Sequence, residues 1–174
     1  MKPNRRPRLI LAAVAPLVPL LLLAASPGEE AARVSGTYTM TYSQRHPVPV
    51  TDTEGHIVIA TEAKGTNRST GAASYMDGAD VSIAETADMV QGNGPHQGYA
   101  TMSLNADLTI NQWSGKLSTV LGPDKQPVTS FKGTWTSVKG HKGHGTYQGR
   151  ITGPDTYTVE WQGEVELKSP TASR

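Results

Sequence analysis

The chain has 174 residues with 16 Lys and Arg, 15 Asp and Glu, and no cysteine. Residues 1–28 hold four of the basic residues and no acid, so the remainder has 12 basic and 15 acidic residues, a net charge of −3. A mildly acidic domain without a basic cluster lacks the electrostatic footprint of a nucleic-acid-binding protein. The lack of cysteine excludes disulfide bonds and a lipid-modified cysteine.

The N-terminus has the layout of a secretory signal. Four basic residues lie within residues 2–8, an apolar run follows over residues 9–25, and small residues come next. The run contains Pro16 and Pro19 and is at the lower limit of the roughly 17–25 residues that a membrane-spanning helix needs. We therefore expect residues 1–28 to be a cleaved signal peptide and the protein to be secreted or periplasmic. The alternative is a membrane anchor retained over residues 9–25.

The remaining chain is long enough for one domain with its own core. We expect a short linker at residues 29–35, the folded domain at residues 36–168 and a disordered tail at residues 169–174. After Gly36 no stretch keeps apolar residues at helical spacing over three turns, so no long helix is predicted.

Alternation of apolar and polar side chains predicts eight strands. They are expected at residues 35–44, 54–64, 79–90, 99–104, 108–121, 128–138, 145–152 and 156–167. The prolines in residues 46–49 should end the first strand, because proline cannot donate to a strand ladder. Residues 66–71 and 91–98 are interpreted as loops, and residues 105–107 as a hairpin turn. The alternation slips near Trp113, where a bulge is expected.

The last predicted strand has the clearest pattern. Its apolar face consists of Tyr157, Val159, Trp161, Val165 and Leu167, and its polar face of Thr158, Glu160, Gln162, Glu164 and Glu166. Gly163 on the apolar face leaves room for a close neighbour or a bend. Eight such strands indicate an all-β domain, a single antiparallel eight-stranded β-barrel, because closure removes exposed edges. A two-sheet β-sandwich is the alternative.

Three segments resemble the bacterial proteins of the allene oxide cyclase-like barrel group, to which the dirigent proteins are more distantly related. They are Phe131-x-Gly133-Thr134-Trp135, the glycine-rich stretch 139–149, and Tyr157-x-Val159-x-Trp161-x-Gly163. The resemblance covers roughly residues 36–167. It implies a small antiparallel barrel with an apolar cavity, in a group whose members cyclise or steer reactive lipophilic intermediates. It also leaves room for a homo-oligomer formed through the outer faces.

Glu85 is the predicted catalytic acid or base. It has the same parity as Val81, Ile83, Ala87 and Met89, so it should point to the apolar face. A carboxyl group among aliphatic side chains can act in proton transfer. The alternatives are a bulge that reverses the parity, or a structural pair with a cation at the barrel mouth.

Two further groups of residues are candidates for a ligand site. A rim at one barrel end is predicted from Asp77, Asp80, Asp88, Asn93, His96 and Tyr99, with ordinary turn chemistry as the alternative. A ligand cavity is predicted from Tyr38, Trp113, Trp135, Tyr157 and Trp161, which either line the interior or fill it.

No metal or cofactor site is predicted. His141 and His144 have a spacing that one metal ion could use, and His96 or His46 could join them, but a third ligand is not evident nearby.

The sequence thus favours an exported barrel that binds a small apolar or amphipathic molecule in its interior, with no catalysis assigned. The alternatives are an isomerase or cyclase acting on a lipophilic substrate, and a structural or interaction module. The expected partner is a small lipophilic molecule. Contact with a membrane is expected only through an uncleaved N-terminal segment.

Overall fold

The computed structural model describes residues 31–71 and 73–167. These residues form eight antiparallel strands in chain order, and the first strand pairs with the last, so the sheet closes into a barrel. The strands are β1 (Ala31–Pro49), β2 (His56–Ser69), β3 (Asp80–Val90), β4 (Gly94–Leu104), β5 (Asp107–Leu121), β6 (Pro127–Lys139), β7 (Gly143–Ile151) and β8 (Thr156–Glu166). The predicted barrel is confirmed, and the sandwich is excluded because the strand ladder is continuous.

The predicted signal segment and tail lie outside the described residues. Within residues 31–71 and 73–167, no helix has the length and apolar character needed to cross a membrane.

The first strand is longer than the sequence indicates at both ends. It begins at Ala31, inside the expected linker, because residues 31–35 pair with the end of β8. It also continues through residues 46–49, where Pro47 pairs with Ile59. Its pairing with β8 stops at Thr41, so beyond that residue β1 has a strand neighbour on one side only. Proline is tolerated on such an edge, which explains why the prediction of a strand end there was wrong.

Two predicted loops belong largely to strands. β2 extends to Ser69, so most of residues 66–71 are paired with β1. β4 begins at Gly94, and only a tight turn at residues 91–93 separates it from β3. The glycine-rich composition of residues 91–98 suggested a loop, but Gly94 and Gly98 are required by close packing against neighbouring strands. His96 is therefore a strand residue.

The register irregularities do not lie where the alternation suggested. The β5–β6 ladder shifts at Ile110 and Asn111, where the extra residue is Val138 on β6, and the β1–β2 ladder shifts between Tyr42 and Gln44. Trp113 itself pairs regularly with Trp135 on β6 and with Gly98 on β4.

The two ends of the barrel differ. We call the end with the β1–β2, β3–β4, β5–β6 and β7–β8 turns the mouth, and the opposite end the base. At the base, the β2–β3 loop places the buried Tyr75 and Met76 against the core. Asn67, which is fully buried, holds this loop by donating to the carbonyl oxygens of Tyr75 (3.2 Å) and Met76 (2.7 Å). Lumen-facing residues near the mouth, such as Leu121 and Ile151, are exposed.

Large side chains and glycines face each other across neighbouring strands inside the barrel. Pairs of this kind are Trp161 with Gly36, Met40 with Gly65, Trp113 with Gly98, Tyr147 with Gly133, Trp135 with Gly145 and Phe131 with Gly149. In each pair, a Cβ atom on the glycine would lie within 2.8 Å of the partner side chain. Because the glycine has no side chain, the large side chain of its partner has space to lie across the adjacent strand.

The substitution Gly145→Ala tests this packing. Its Cβ would lie 2.0 Å from the carbonyl oxygen of Gln162 and 2.7 Å from the ring of Trp135, so backbone and ring would both have to move. We expect a loss of roughly 1–3 kcal/mol or more in the free energy of unfolding, measured by urea denaturation. Thr146→Ala is the matched control, because Thr146 is the next residue of β7 and is exposed. Equal stability of the two variants would contradict the packing account.

Candidate functional site

The barrel interior retains a cavity of about 60 Å³. Its lining is mostly aromatic and aliphatic, and includes Tyr38, Tyr42, Tyr75, Ile83, Glu85, His96, Ala100, Met102, Asn111, Trp113, Leu117, Phe131, Trp135, Tyr147, Tyr157, Val159 and Trp161. A water molecule needs only about 10–15 Å³ by this kind of measure, so the cavity is larger than the space that one water molecule requires. It is much smaller than the roughly 300–1,000 Å³ typical of drug-sized ligands.

All five aromatic residues predicted for the cavity line it. The sequence reasoning missed four other rings, those of Tyr42, Tyr75, Phe131 and Tyr147. Tyr147 and Phe131 could have been found, because each alternates with glycines or aromatics in the motifs quoted for the family resemblance. The rings both line and fill the interior: they pack edge to face against one another and leave a small residual space.

Most polar atoms of these rings have partners within the protein. The Trp161 indole donates to Asn67 Oδ1 (3.1 Å), the Trp135 indole to the carbonyl of Gln162 (3.3 Å), and the Tyr75 hydroxyl to Thr109 (3.3 Å). The Tyr38 hydroxyl makes a weaker contact with the Met102 sulfur at 3.5 Å.

Two donors in the cavity wall are exceptions. Among the described residues, the buried side-chain polar atoms without a partner are Trp113 Nε1, His141 Nδ1 and the Tyr157 hydroxyl oxygen. Trp113 and Tyr157 both line the cavity. Buried polar groups in native proteins nearly always have a partner, so each exception requires an explanation.

A chain of hydrogen bonds joins three strands inside the lumen. Glu85 on β3 lies with Oε1 2.8 Å from Nδ1 of His96 on β4, and Nε2 of His96 lies 3.1 Å from the hydroxyl of Tyr147 on β7. Thr61 on β2 contacts the second oxygen of Glu85 at 3.4 Å. The side chains of His96 and Glu85 are only 2% and 12% exposed, so the chain is shielded from water.

Glu85 therefore points into the lumen, as its parity suggested, and its partner is a histidine. Arg45 at the mouth does not pair with Glu85: it lies 3.5 Å from Asp155 and over the Tyr42 ring. His96 was predicted at the rim, and it lies deep in the lumen because β4 starts at Gly94. The catalytic role of Glu85 stays a prediction.

The charge of Glu85 affects the surrounding tyrosines. Burial, followed by the nearby Glu85 carboxylate, raises the pKa of Tyr147 and of Tyr157 well above the usual tyrosine range. The same two causes raise the pKa of Tyr42 to about 12, against a smaller lowering by Arg45. These hydroxyl groups therefore keep their protons at any physiological pH and act as neutral hydrogen-bonding groups.

The structure does not bring the predicted rim residues together. Asp77 and Asp80 lie at the base, where Asp77 accepts a bond from the backbone of Ser69 at 2.9 Å. Asp88, near the end of β3, and Asn93, in the β3–β4 turn, lie at the mouth, whereas Asp80 begins β3 at the base. Tyr99 lies on the outer surface of β4, 49% exposed. The residues span both barrel ends because a strand carries its first and last residues to opposite rims.

Asp88 takes part in a small cluster at the mouth. His56, the first residue of β2, lies with Nδ1 2.5 Å from Asp52 and Nε2 2.7 Å from Asp88. The cluster therefore ties the β1–β2 turn to the end of β3. The bonds to Asp52 and Asp88 raise the pKa of His56, and the bond from His56 lowers the pKa of Asp52.

The histidines considered for a metal are dispersed. His96 lies in the lumen, His46 near the mouth, and His141 and His144 at the base. In the part of the chain that the structure describes, no three His, Cys, Asp or Glu side chains form a group suited to a metal ion.

Neither a scan against protein-family models nor a search of curated proteins found a match to this chain.

The His56 cluster predicts a pH dependence of stability. The pKa of His56 is raised on folding. Its contribution to the free energy of unfolding is therefore complete below the unfolded-state pKa of 6.5 and is lost as the pH rises through the folded-state pKa. Because the pKa of Asp52 is lowered, its contribution is present above its unfolded value of 3.8 and is lost as the pH falls through the folded value.

The melting temperature of wild type minus that of His56→Asn should accordingly be largest between about pH 4.5 and 6 and shrink in alkaline buffer. His46→Asn is the control, because His46 lies near the same end and, among the described residues, its side chain bonds Gln44 and no carboxylate. A constant difference across the pH range would rule out the charged cluster.

Proposed function

We propose that this protein is an exported barrel that binds, in its lumen, a small and mainly apolar molecule carrying an acceptor oxygen. The main support for this proposal is that the Tyr157 hydroxyl and the Trp113 indole nitrogen are buried and have no partner in the described part of the chain. Both residues line the mainly apolar cavity. Leaving a buried donor unpaired costs about 1–3 kcal/mol. A carbonyl, ether or hydroxyl oxygen of a ligand would recover part of that cost, while its hydrocarbon part packs against the rings.

The cavity also limits the ligand's size and route. At about 60 Å³, the enclosed space is smaller than a six-membered ring, so a ligand of that size requires the surrounding side chains to move outward. At the base, Tyr75 and Met76 are buried against the core, whereas the lumen-facing Leu121 and Ile151 near the mouth are exposed. Entry through the mouth is therefore the more direct route.

The resemblance to allene oxide cyclase-like barrels supports the proposal. Phe131, Gly133 and Trp135 on β6 face Gly149, Tyr147 and Gly145 on β7, so the motifs behind the resemblance form one packing unit. Membership of the group is part of the proposal.

Binding can be tested with two probes of equal size, cyclohexanone and methylcyclohexane, by titration calorimetry. Both probes should bind. The Tyr157→Phe variant should bind cyclohexanone about fivefold more weakly and methylcyclohexane with unchanged affinity, because one net hydrogen bond is worth about 1 kcal/mol. Tyr99→Phe is the control, because that hydroxyl lies on the outer surface. If neither probe binds, or if Tyr157→Phe affects both equally, the proposed site is refuted.

Export can be tested on protein recovered from its own host. N-terminal sequencing should begin at Ser26 or Glu29 in the extracytoplasmic fraction, because small residues at positions 24–28 follow the apolar run. An intact N-terminus in the membrane fraction would favour the anchor instead.

A further inference from the structure

Three lumen residues form a relay whose proton positions follow from their chemistry. Because a carboxylate accepts hydrogen bonds, we assign the His96 proton to Nδ1, which lies 2.8 Å from Glu85 Oε1. Nε2 is then left with a lone pair and must accept from the Tyr147 hydroxyl at 3.1 Å. The order is Tyr147 O–H to His96 Nε2, and His96 Nδ1–H to Glu85.

The surroundings hold this order in place. The imidazole of His96 packs edge to face against Trp113 (4.9 Å between ring centroids) and Phe131 (5.6 Å), which leaves it little freedom to turn. The Tyr147 ring lies across Gly133, which places its hydroxyl against the barrel wall beside His96. With its proton donated to His96, the Tyr147 oxygen retains its lone pairs, and the Tyr147 side chain lines the cavity.

The unpaired donor of Tyr157 belongs to the same region. The Phe131 ring contacts Tyr157 (5.9 Å between centroids), Tyr147 (6.4 Å) and His96 (5.6 Å). The Phe131 ring therefore has two kinds of group around it. One is Tyr147 with His96 behind it, which can accept a proton, and the other is Tyr157, which can donate to a developing oxyanion. These are the parts required for proton abstraction beside a carbonyl group.

We propose that Tyr147, backed by His96 and Glu85, transfers a proton to and from the carbon next to the carbonyl of a bound ketone, so that the barrel acts as an enolising isomerase. This inference rests on the proposed function, since it requires the ketone to bind in the lumen. The substrate class is a small, mainly apolar ketone with a hydrogen on the adjacent carbon.

The step balances within the site. The C–H bond breaks as its proton passes to the Tyr147 oxygen, whose own proton passes to His96 Nε2. The C–H electrons form a C=C bond, and the carbonyl π electrons move to the oxygen, which accepts a hydrogen bond from Tyr157. The imidazolium is stabilised by Glu85. Reversal returns the proton through Tyr147, either to the same carbon or, in a β,γ-unsaturated ketone, to the γ carbon, which gives the conjugated isomer.

Tyr147 never needs to exist as a free phenolate in this step. Burial and the charge of Glu85 raise its pKa, so the anion would be strongly disfavoured, and simultaneous transfer to His96 avoids it. Tyr147 is the catalytic residue. His96 and Glu85 act through Tyr147 and are positioning residues, since both oxygens of Glu85 already contact His96 and Thr61.

The experiment is exchange of the α protons of cyclohexanone in D₂O, followed by proton NMR at saturating protein. The wild type should accelerate exchange, and Tyr147→Phe should reduce the protein-dependent rate about 100-fold or more while the Kd for cyclohexanone stays within about twofold. Tyr99→Phe should exchange like the wild type. Binding without accelerated exchange, or full exchange in Tyr147→Phe, overturns the relay. Absence of binding refutes the proposed function itself.

A second measurement separates positioning from a merely structural role. Nitrogen-15 NMR of the wild type should show the His96 proton on Nδ1 and an unprotonated Nε2. Glu85→Gln should reduce the exchange rate of bound cyclohexanone at unchanged Kd and redistribute that proton between the two nitrogens. A Glu85→Gln variant with the wild-type tautomer and rate would remove Glu85 from the relay.

Discussion

The fit of a large side chain into the space above a glycine on the adjacent strand is the interaction on which this barrel depends. An eight-stranded barrel has a narrow interior, and the described chain places nine aromatic rings around its cavity. Rings of that size can share the interior only if other lumen positions carry no side chain. The pairs of Phe131 with Gly149 and Trp135 with Gly145 show the principle on two adjoining strands.

The same packing creates the site. Because Tyr147 lies across Gly133, its hydroxyl reaches His96 from a strand that is not a neighbour of β4. The hydrogen-bond chain therefore joins β3, β4 and β7 along the barrel wall, inside a mainly aromatic enclosure. Burial in this enclosure, followed by the nearby charge of Glu85, raises the pKa values of Tyr147 and Tyr157.

Much of the fold could be predicted because a half-buried strand alternates apolar and polar residues, and this alternation can be read from the local sequence. The alternation around Val159 and Trp161 and the parity of Glu85 needed no knowledge of other strands. The errors arose where tertiary structure overrides local signals. Prolines 47 and 49 lie where β1 has a single strand neighbour, and the glycines around His96 serve strand packing. The partners of Glu85 depend on register between strands, which local alternation does not contain.

In the proposed reaction, a ketone lies in the lumen between Tyr157 and Tyr147. A crystal structure of the protein with cyclohexanone would test it most directly. We expect the carbonyl oxygen about 2.7–3.0 Å from the Tyr157 hydroxyl and an α carbon about 3–3.5 Å from the Tyr147 oxygen. Cyclohexanone bound only on the outer surface, or in the lumen with its carbonyl turned away from Tyr157, would contradict the account.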